Sequence, residues 1–311
     1  METLETHKSL PQLNGKLFLT DGGLETTLIY HHLIDLPHFA AFDLYSRTGG
    51  PEILKSYYED YIRIALEQHT GFILESATWR CNPNWGYKLG YDPEALEQIN
   101  RLALEQLKTL RAEHQNGQPF VISGCMGPAG DGYSPAETMT ISEAEKYHSP
   151  QVLVLKESGA DMITALTMNY TEEAIGIVLS ARRAGIPVVI SFTVETNGAL
   201  PNKESLQSAI ERVDAKTDRY ASYYMINCAH PLHFKALFKS TEQWHRRIRG
   251  IRANASCKSH AELDNSNKLD EGNKQELAAE MQVLRNLIPS VNVLGGCCGT
   301  DHSHIKAFCS T

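Results

Sequence analysis

The 311-residue chain is 42% hydrophobic, enough for a substantial core, and barrels of this size fold as one unit, so a single domain over residues 1–311 is expected. Its formal charge of −8 is dispersed, and its one short basic cluster, Arg246, Arg247, Arg249 and Arg252, reads as a solvated face rather than a nucleic-acid surface. The opening METLETHKSLPQLNGK lacks an apolar signal core, no run is long enough to span a membrane, and seven irregularly spaced cysteines make no secreted disulfide framework, which points to an unprocessed cytoplasmic protein.

Eight apolar, β-rich runs follow one another. They are LFLTDGG from Leu17, GFILESAT from Gly71, FVISGCMG from Phe120, DMITALTM from Asp161, PVVISFTV from Pro187, YYMINCAH from Tyr223, RIRGIRAN from Arg247 and VNVLGGCC from Val291. Between them lie helix-period stretches such as PEILKSYYEDYIRIALEQ and NKQELAAEMQVLRNLI. Strands alternating with helices argue for an α/β fold closed into a (β/α)8, TIM-like barrel. A doubly wound open sheet is the rival, but the first strand runs into GGLETT, not a GxGxxG turn.

Several segments would reach the C-terminal rim of such a barrel. Glu75 ends the second strand and Glu195 lies at the end of the fifth. Trp79, Trp85, Tyr87 and Tyr91 form either an aromatic wall for a cation or ordinary loop packing. Tyr133 in GDGYSP serves a ligand or holds a loop, and the polar stretch 256–274 after the seventh strand is a lid or a surface loop. His302 and His304 in DHSH are metal-ligand candidates by residue type, but they follow the cysteines immediately and run into the last helix, so capping that helix or supporting a ligand from behind is the favoured reading.

Three cysteines stand out. Cys228 ends strand six in INCAHP, and Cys297 and Cys298 end strand eight in GGCCGT. Adjacent strand residues point to opposite faces, so two neighbouring cysteines reach one ion only where the chain bends, and Gly295, Gly296 and Gly299 would permit that. Three thiolates suit zinc and leave a coordination position for substrate. The alternative is a small buried hydrophobe at Cys228 and a packing or redox pair at 297–298. Cys81, Cys125, Cys257 and Cys309 have no comparable setting and read as structural, Cys125 beneath the rim.

DGG after the first strand, INC after the sixth and GGCCGT after the eighth together resemble the homocysteine S-methyltransferase family, and YHSPQVLVLKESGAD extends the likeness over nearly the whole chain. The resemblance implies a barrel with zinc on Cys228, Cys297 and Cys298, a substrate-binding turn at Asp21, Gly22 and Gly23, and a rim-ordering role beside the substrate for Asn227. It further implies transfer of a methyl group from a small onium donor of the S-methylmethionine type to homocysteine or a related thiol, giving methionine or a thioether, with the thiol activated as a zinc-bound thiolate. The family's carboxylate at the end of strand four is replaced here by Leu166, and Glu75 is the candidate to supply it from another side of the mouth. Two rival functions remain on this reading: a non-catalytic zinc- or thiol-binding sensor, and a zinc hydrolase, which three thiolates disfavour by making the metal less electrophilic.

Overall fold

A computed structural model describes residues 10–309 apart from 115–116, 136–137 and 267, so the first nine residues of the opening segment lie outside it. All eight expected strands form: β1 Phe18–Leu19, β2 Gly71–Glu75, β3 Phe120–Met126, β4 Met162–Met168, β5 Val188–Phe192, β6 Tyr223–Ala229, β7 Ile248–Ala253 and β8 Val293–Gly296. They are parallel and close in sequence order, with Phe18 of β1 paired to Val293 of β8. The (β/α)8 barrel expected from the sequence is the observed fold.

Helices α1 Leu24–Thr26, α2 Gly50–Glu67, α3 Pro83–Lys88, α4 Pro93–His114, α5 Ile141–Glu157, α6 Thr171–Ala184, α7 Leu206–Lys216, α8 Pro231–Phe234, α9 His260–Asp264, α10 Lys274–Leu287 and α11 His302–Phe308 surround it. Helix α2 shows why they dock: Leu54, Tyr58, Tyr61, Ile62 and Ala65 recur at helical spacing and are buried in the layer against the sheet. Among the described residues no helix is long and apolar enough to cross a membrane.

Side chains alternate along each strand, so one set packs outward under the helices and the other fills the barrel. The interior is apolar toward the N-terminal ends of the strands, where Phe18, Ile73, Val121, Met162, Val189 and Val293 pack together. Gln12 plugs that end, its side-chain amide donating to the Tyr223 hydroxyl at 3.2 Å. Further along the same inward rows stand Glu75, Ser123, Thr164, Ser191, Asn227 and Arg252, all buried. The barrel therefore grades from an oily base to a polar mouth, which is where a ligand site belongs in this fold.

Two strands break their alternation at that mouth. The pairing of β4 with β5 shifts register between Ala165 and Met168, and that of β6 with β7 shifts between Asn227 and Ala229. Thr167 and Cys228 sit in the bulges in the left-handed region, with φ of 61° and 53°. Such a backbone costs on the order of 1–3 kcal/mol for a residue with a Cβ. Its effect here is that the neighbours Asn227 and Cys228 both line the same cavity.

Candidate active site

The sulfur atoms of Cys228, Cys297 and Cys298 all lie within 4.8 Å of one another at the C-terminal end of the barrel. Cys228 and Cys297 are joined by a disulfide, which the sequence reading had not anticipated between these two residues. Burial, with a contribution from the Glu25 carboxylate, pushes the Cys298 thiol up to about 11. Strand β8 stops at Gly296, so both cysteines of the pair lie past the ladder, and the Cys297 amide donates to the Ala253 carbonyl at 2.8 Å. Of the three glycines expected to open the strand, only Gly299 uses a positive φ, 77°. Gly295 and Gly296 instead make room: a Cβ on either would stand 1.9 Å from a threonine hydroxyl, of Thr20 and Thr300 respectively.

The DGG turn packs directly on this segment. A Cβ at Gly23 would lie 2.5 Å from the Cys297 carbonyl oxygen, and the Gly23 N–H donates to Thr300 at 2.9 Å, so that N–H is engaged within the protein. Asp21 forms an ion pair with Arg252 at 2.7 Å and accepts a hydrogen bond from the Tyr57 hydroxyl at 3.1 Å. Arg252 also donates to the carbonyls of Gly296 (3.1 Å) and Gly22 (3.2 Å). The reading of its cluster as a solvated face is therefore corrected at this residue, because inward alternation of β7 places Arg252 inside the barrel. Arg247 is half-buried too, bonded to Asp214 at 2.8 Å. Burial raises the Asp21 carboxyl above its ordinary range, with Arg252 opposing the rise.

The cavity above the sulfurs measures about 490 Å³ and is lined by, among others, Glu25, Glu75, Trp79, Arg80, Tyr133 and Leu166. Glu75 is 4% exposed, with the hydroxyls of Ser123 and Thr164 as its polar neighbours on the inward rows. Burial pushes it up to about 7, against the pull of Arg252. Asn227 braces the rim: its side-chain oxygen accepts from the Thr167 N–H (2.9 Å) and the Ser191 hydroxyl (2.7 Å), and its amide nitrogen donates to Thr167 Oγ1 (2.8 Å). Ends of β4, β5 and β6 are thus fastened by one side chain. Tyr133 belongs at the site, its hydroxyl donating to the Cys228 sulfur at 3.2 Å.

The aromatic stretch after β2 makes no continuous wall. Trp79 reaches the cavity, Trp85 is buried under the protein's own Arg80 (3.7 Å) and Lys88 (3.9 Å), Tyr87 is 85% exposed, and Tyr91 bonds to Asp43. Glu25 and Arg80 are lining residues that sequence reasoning passed over. The available signal for Glu25 was its position four residues after Asp21, at the first turn of α1.

Described residues of the segment 256–274, Ser256, His260, Leu263, Lys268 and Asp270, form part of the cavity wall at the mouth. His260 of α9 latches it: Nε2 lies 2.6 Å from the Cys228 carbonyl oxygen, Nδ1 3.2 Å from Glu195, and its ring 4.3 Å from that of Tyr133. His304 caps α11 through Asp301 (2.8 Å), as expected, and His302 is exposed. Cys81 and Cys125 are buried, Cys125 lining the cavity beneath the rim, whereas Cys257 is exposed on the lid and serves no packing role.

The family model of homocysteine S-methyltransferases matches residues 18–311. The chain belongs to the homocysteine S-methyltransferase family. It is therefore an enzyme of that family. Selenocysteine Se-methyltransferase of Brassica oleracea var. italica is 24% identical over 339 residues, covering 99% of this chain and 92% of that protein. Crystal structures of the homocysteine methyltransferase MmuM from Escherichia coli, in oxidised and metallated forms, share the fold with TM-scores of 0.74 and 0.73. Each is 17% identical, over 97% of this chain and 98% of the other.

Proposed function

We propose that this enzyme transfers a methyl group from a small onium donor of the S-methylmethionine type to the sulfur of homocysteine or a related thiol, with zinc held by Cys228, Cys297 and Cys298. The observation that carries the reading is the convergence of these three sulfurs, within 4.8 Å of one another, beneath a lidded cavity. Two-electron reduction of the Cys228–Cys297 disulfide by an external thiol reductant frees two thiols beside the free Cys298, and the resulting three soft donors suit zinc better than the harder divalent ions. The metallated form known for the Escherichia coli enzyme supports a metal in this fold. Zinc bound there supplies a positive charge that keeps an acceptor thiol deprotonated at neutral pH, where a free alkyl thiol is only a few per cent thiolate.

The protein's own residues do the rest by placement. The DGG turn at Asp21, Gly22 and Gly23 forms the floor with Glu75 and Asn227, Tyr133 steadies Cys228, and the lid keeps water from the reacting atoms. Methyl transfer breaks the bond from carbon to a cationic sulfur or nitrogen and forms a bond to the acceptor sulfur. The donor departs as a neutral thioether or amine, and the thiol proton passes to solvent. Because the donor already carries its leaving group, in-line positioning is the main requirement.

The test is a reduced, zinc-loaded preparation assayed for metal content and for methylated product across a panel of thiols and onium donors. About one zinc per chain and product from a sulfonium donor with homocysteine or a related thiol is the expected result. Zinc binding without product from any pair would favour a sensor instead, and a reduced protein unable to take up zinc would overturn the proposal.

A further inference from the structure

A second cavity, of about 540 Å³, opens at the base of the barrel, the end opposite the cysteines. Its walls come from the turn before β1, the last turn of α10, the connection from α10 into β8, and the start of β7. Asn292 ties these segments together and is 6% exposed. Its side-chain nitrogen donates to the carbonyls of Gln12 (2.7 Å) and Lys16 (2.6 Å), and its backbone N–H donates to the Arg249 carbonyl at 3.0 Å. The hollow is therefore held in shape by the same bonds that close the base.

Two half-buried arginines line it, Arg249 from β7 and Arg285 from the last turn of α10. Among the described residues neither has a carboxylate within ion-pair distance, and no Asp or Glu belongs to the wall. Their neighbours in sequence differ: Arg247 is paired with Asp214 at 2.8 Å and Arg252 with Asp21 at 2.7 Å. Arg285 donates only to a neutral acceptor, Gln282 Oε1, at 3.3 Å. A guanidinium that has given up part of its hydration without gaining a carboxylate is stabilised by an anion from outside.

The wall also indicates which anion. Each guanidinium is a planar fork that matches the oxygens of a phosphate, and two positive charges balance a phosphomonoester, at about −1.5 to −2 near pH 7, better than a single carboxylate. The cavity has room for more than the phosphate itself, and the carboxamides of Asn14, Gln282 and Asn286 suit hydroxyl groups on the remainder. Ser290 carries the one hydroxyl among the described lining residues, and it donates to the Ile248 carbonyl at 2.8 Å. The wall thus offers binding without a nucleophile.

We infer that the base of the barrel is a binding site for a phosphate group, carried on a small hydroxylated molecule and held by Arg249 and Arg285. This goes beyond the methyl-transfer reading and stands independently of it.

Calorimetry of the full chain at constant ionic strength tests the site with three probes: ribose 5-phosphate, inorganic phosphate and ribose. Ribose 5-phosphate should bind and ribose should not. Arg249→Gln and Arg285→Gln should each weaken ribose 5-phosphate by about 10- to 100-fold, the worth of a charged hydrogen bond. Asn286→Asp, at an exposed position in the wall, should weaken it as well by adding a negative charge. Zinc uptake by the reduced variants, read at the other end of the barrel, should match the parent and shows that the fold is kept. Phosphate bound more weakly than the ester supports a hydroxylated ligand, and equal affinities lost in the same variants support free phosphate at this site. Ribose 5-phosphate that does not bind the parent, or binds all three folded variants as it binds the parent, would overturn the inference.

Discussion

Arg252 and Asp21 meet 2.7 Å apart inside the barrel, although β7 carries one and the turn after β1 carries the other. Between them runs β8, and Arg252 also holds carbonyls on both of the turns that flank the sulfurs, at Gly22 and Gly296. The pair thus locks the seam at which the first and last strands close. Its burial is nearly complete, 6% and 5% for the two side chains, and this sets the energetic stakes, because a charge left alone there has no water to turn to.

Arg252→Met should lower the unfolding free energy by about 3–5 kcal/mol, the range for stranding one partner of a buried ion pair. Urea denaturation at neutral pH reads this. Adding Asp21→Asn to the same chain should recover most of the loss, since replacing both charges removes the stranded one. A single variant as stable as the parent would show that the seam does not depend on the pair.

Cys298→Ala should weaken zinc binding by at least about 100-fold, a ligand counting for no less than the groups that merely orient ligands. Cys309→Ala, at the end of α11 and half-buried, should leave metal content and turnover unchanged. Metal titration of the two reduced variants side by side checks the assignment, and indistinguishable affinities would contradict it.

Glu75 carries a pH signature. Its pKa in the folded chain is raised to about 7 from an ordinary 4.5, chiefly by burial. Between those values the folded protein holds a proton that the unfolded chain has released, so this group's contribution to stability falls as pH rises through the window, by about 3 kcal/mol in all. Glu75→Gln has no such penalty. Its stability relative to the parent should therefore grow from pH 5 to pH 8, and a difference flat in pH would mean that the carboxyl ionises normally.

His260→Ala removes the contacts that tie the lid to the Cys228 carbonyl and to Glu195. Limited proteolysis within the lid should become severalfold faster, with the midpoint of global unfolding shifting by no more than about 1 kcal/mol, the worth of a hydrogen bond or two. Unchanged cleavage would place the latch elsewhere.

The strands were legible because their apolar, β-rich residues are buried on both faces, a signal that burial in a parallel barrel imposes directly. The cysteines were legible because their places at the ends of β6 and β8 are topological facts. The geometry that brings them together was only partly so. The bend was foreseen around Cys297 and Cys298, yet a comparable one lies at Cys228, where no glycine marks it, and the Cys228–Cys297 bond follows from proximity that spacing alone does not give. Arg252 was hidden by its company: four arginines in seven positions look like a surface, and only strand alternation separates the inward one. Glu25 and Arg80 were hardest, since what marks them is a place in the cavity wall, and that is a property of the assembled barrel.

The cysteine cluster also imposes an order on the birth of the protein. Cys228 leaves the ribosome 69 residues ahead of Cys297, and Asp21 far ahead of both. A growing chain therefore displays one of the three thiols, exposed and alone, through the whole synthesis of β7, the lid and α10, before the others exist to join it. A metal held by all three, as proposed, could be loaded only once β8 has been made, and a chain truncated before β8 should emerge with its first strand unpaired at the seam and without two of the three thiols.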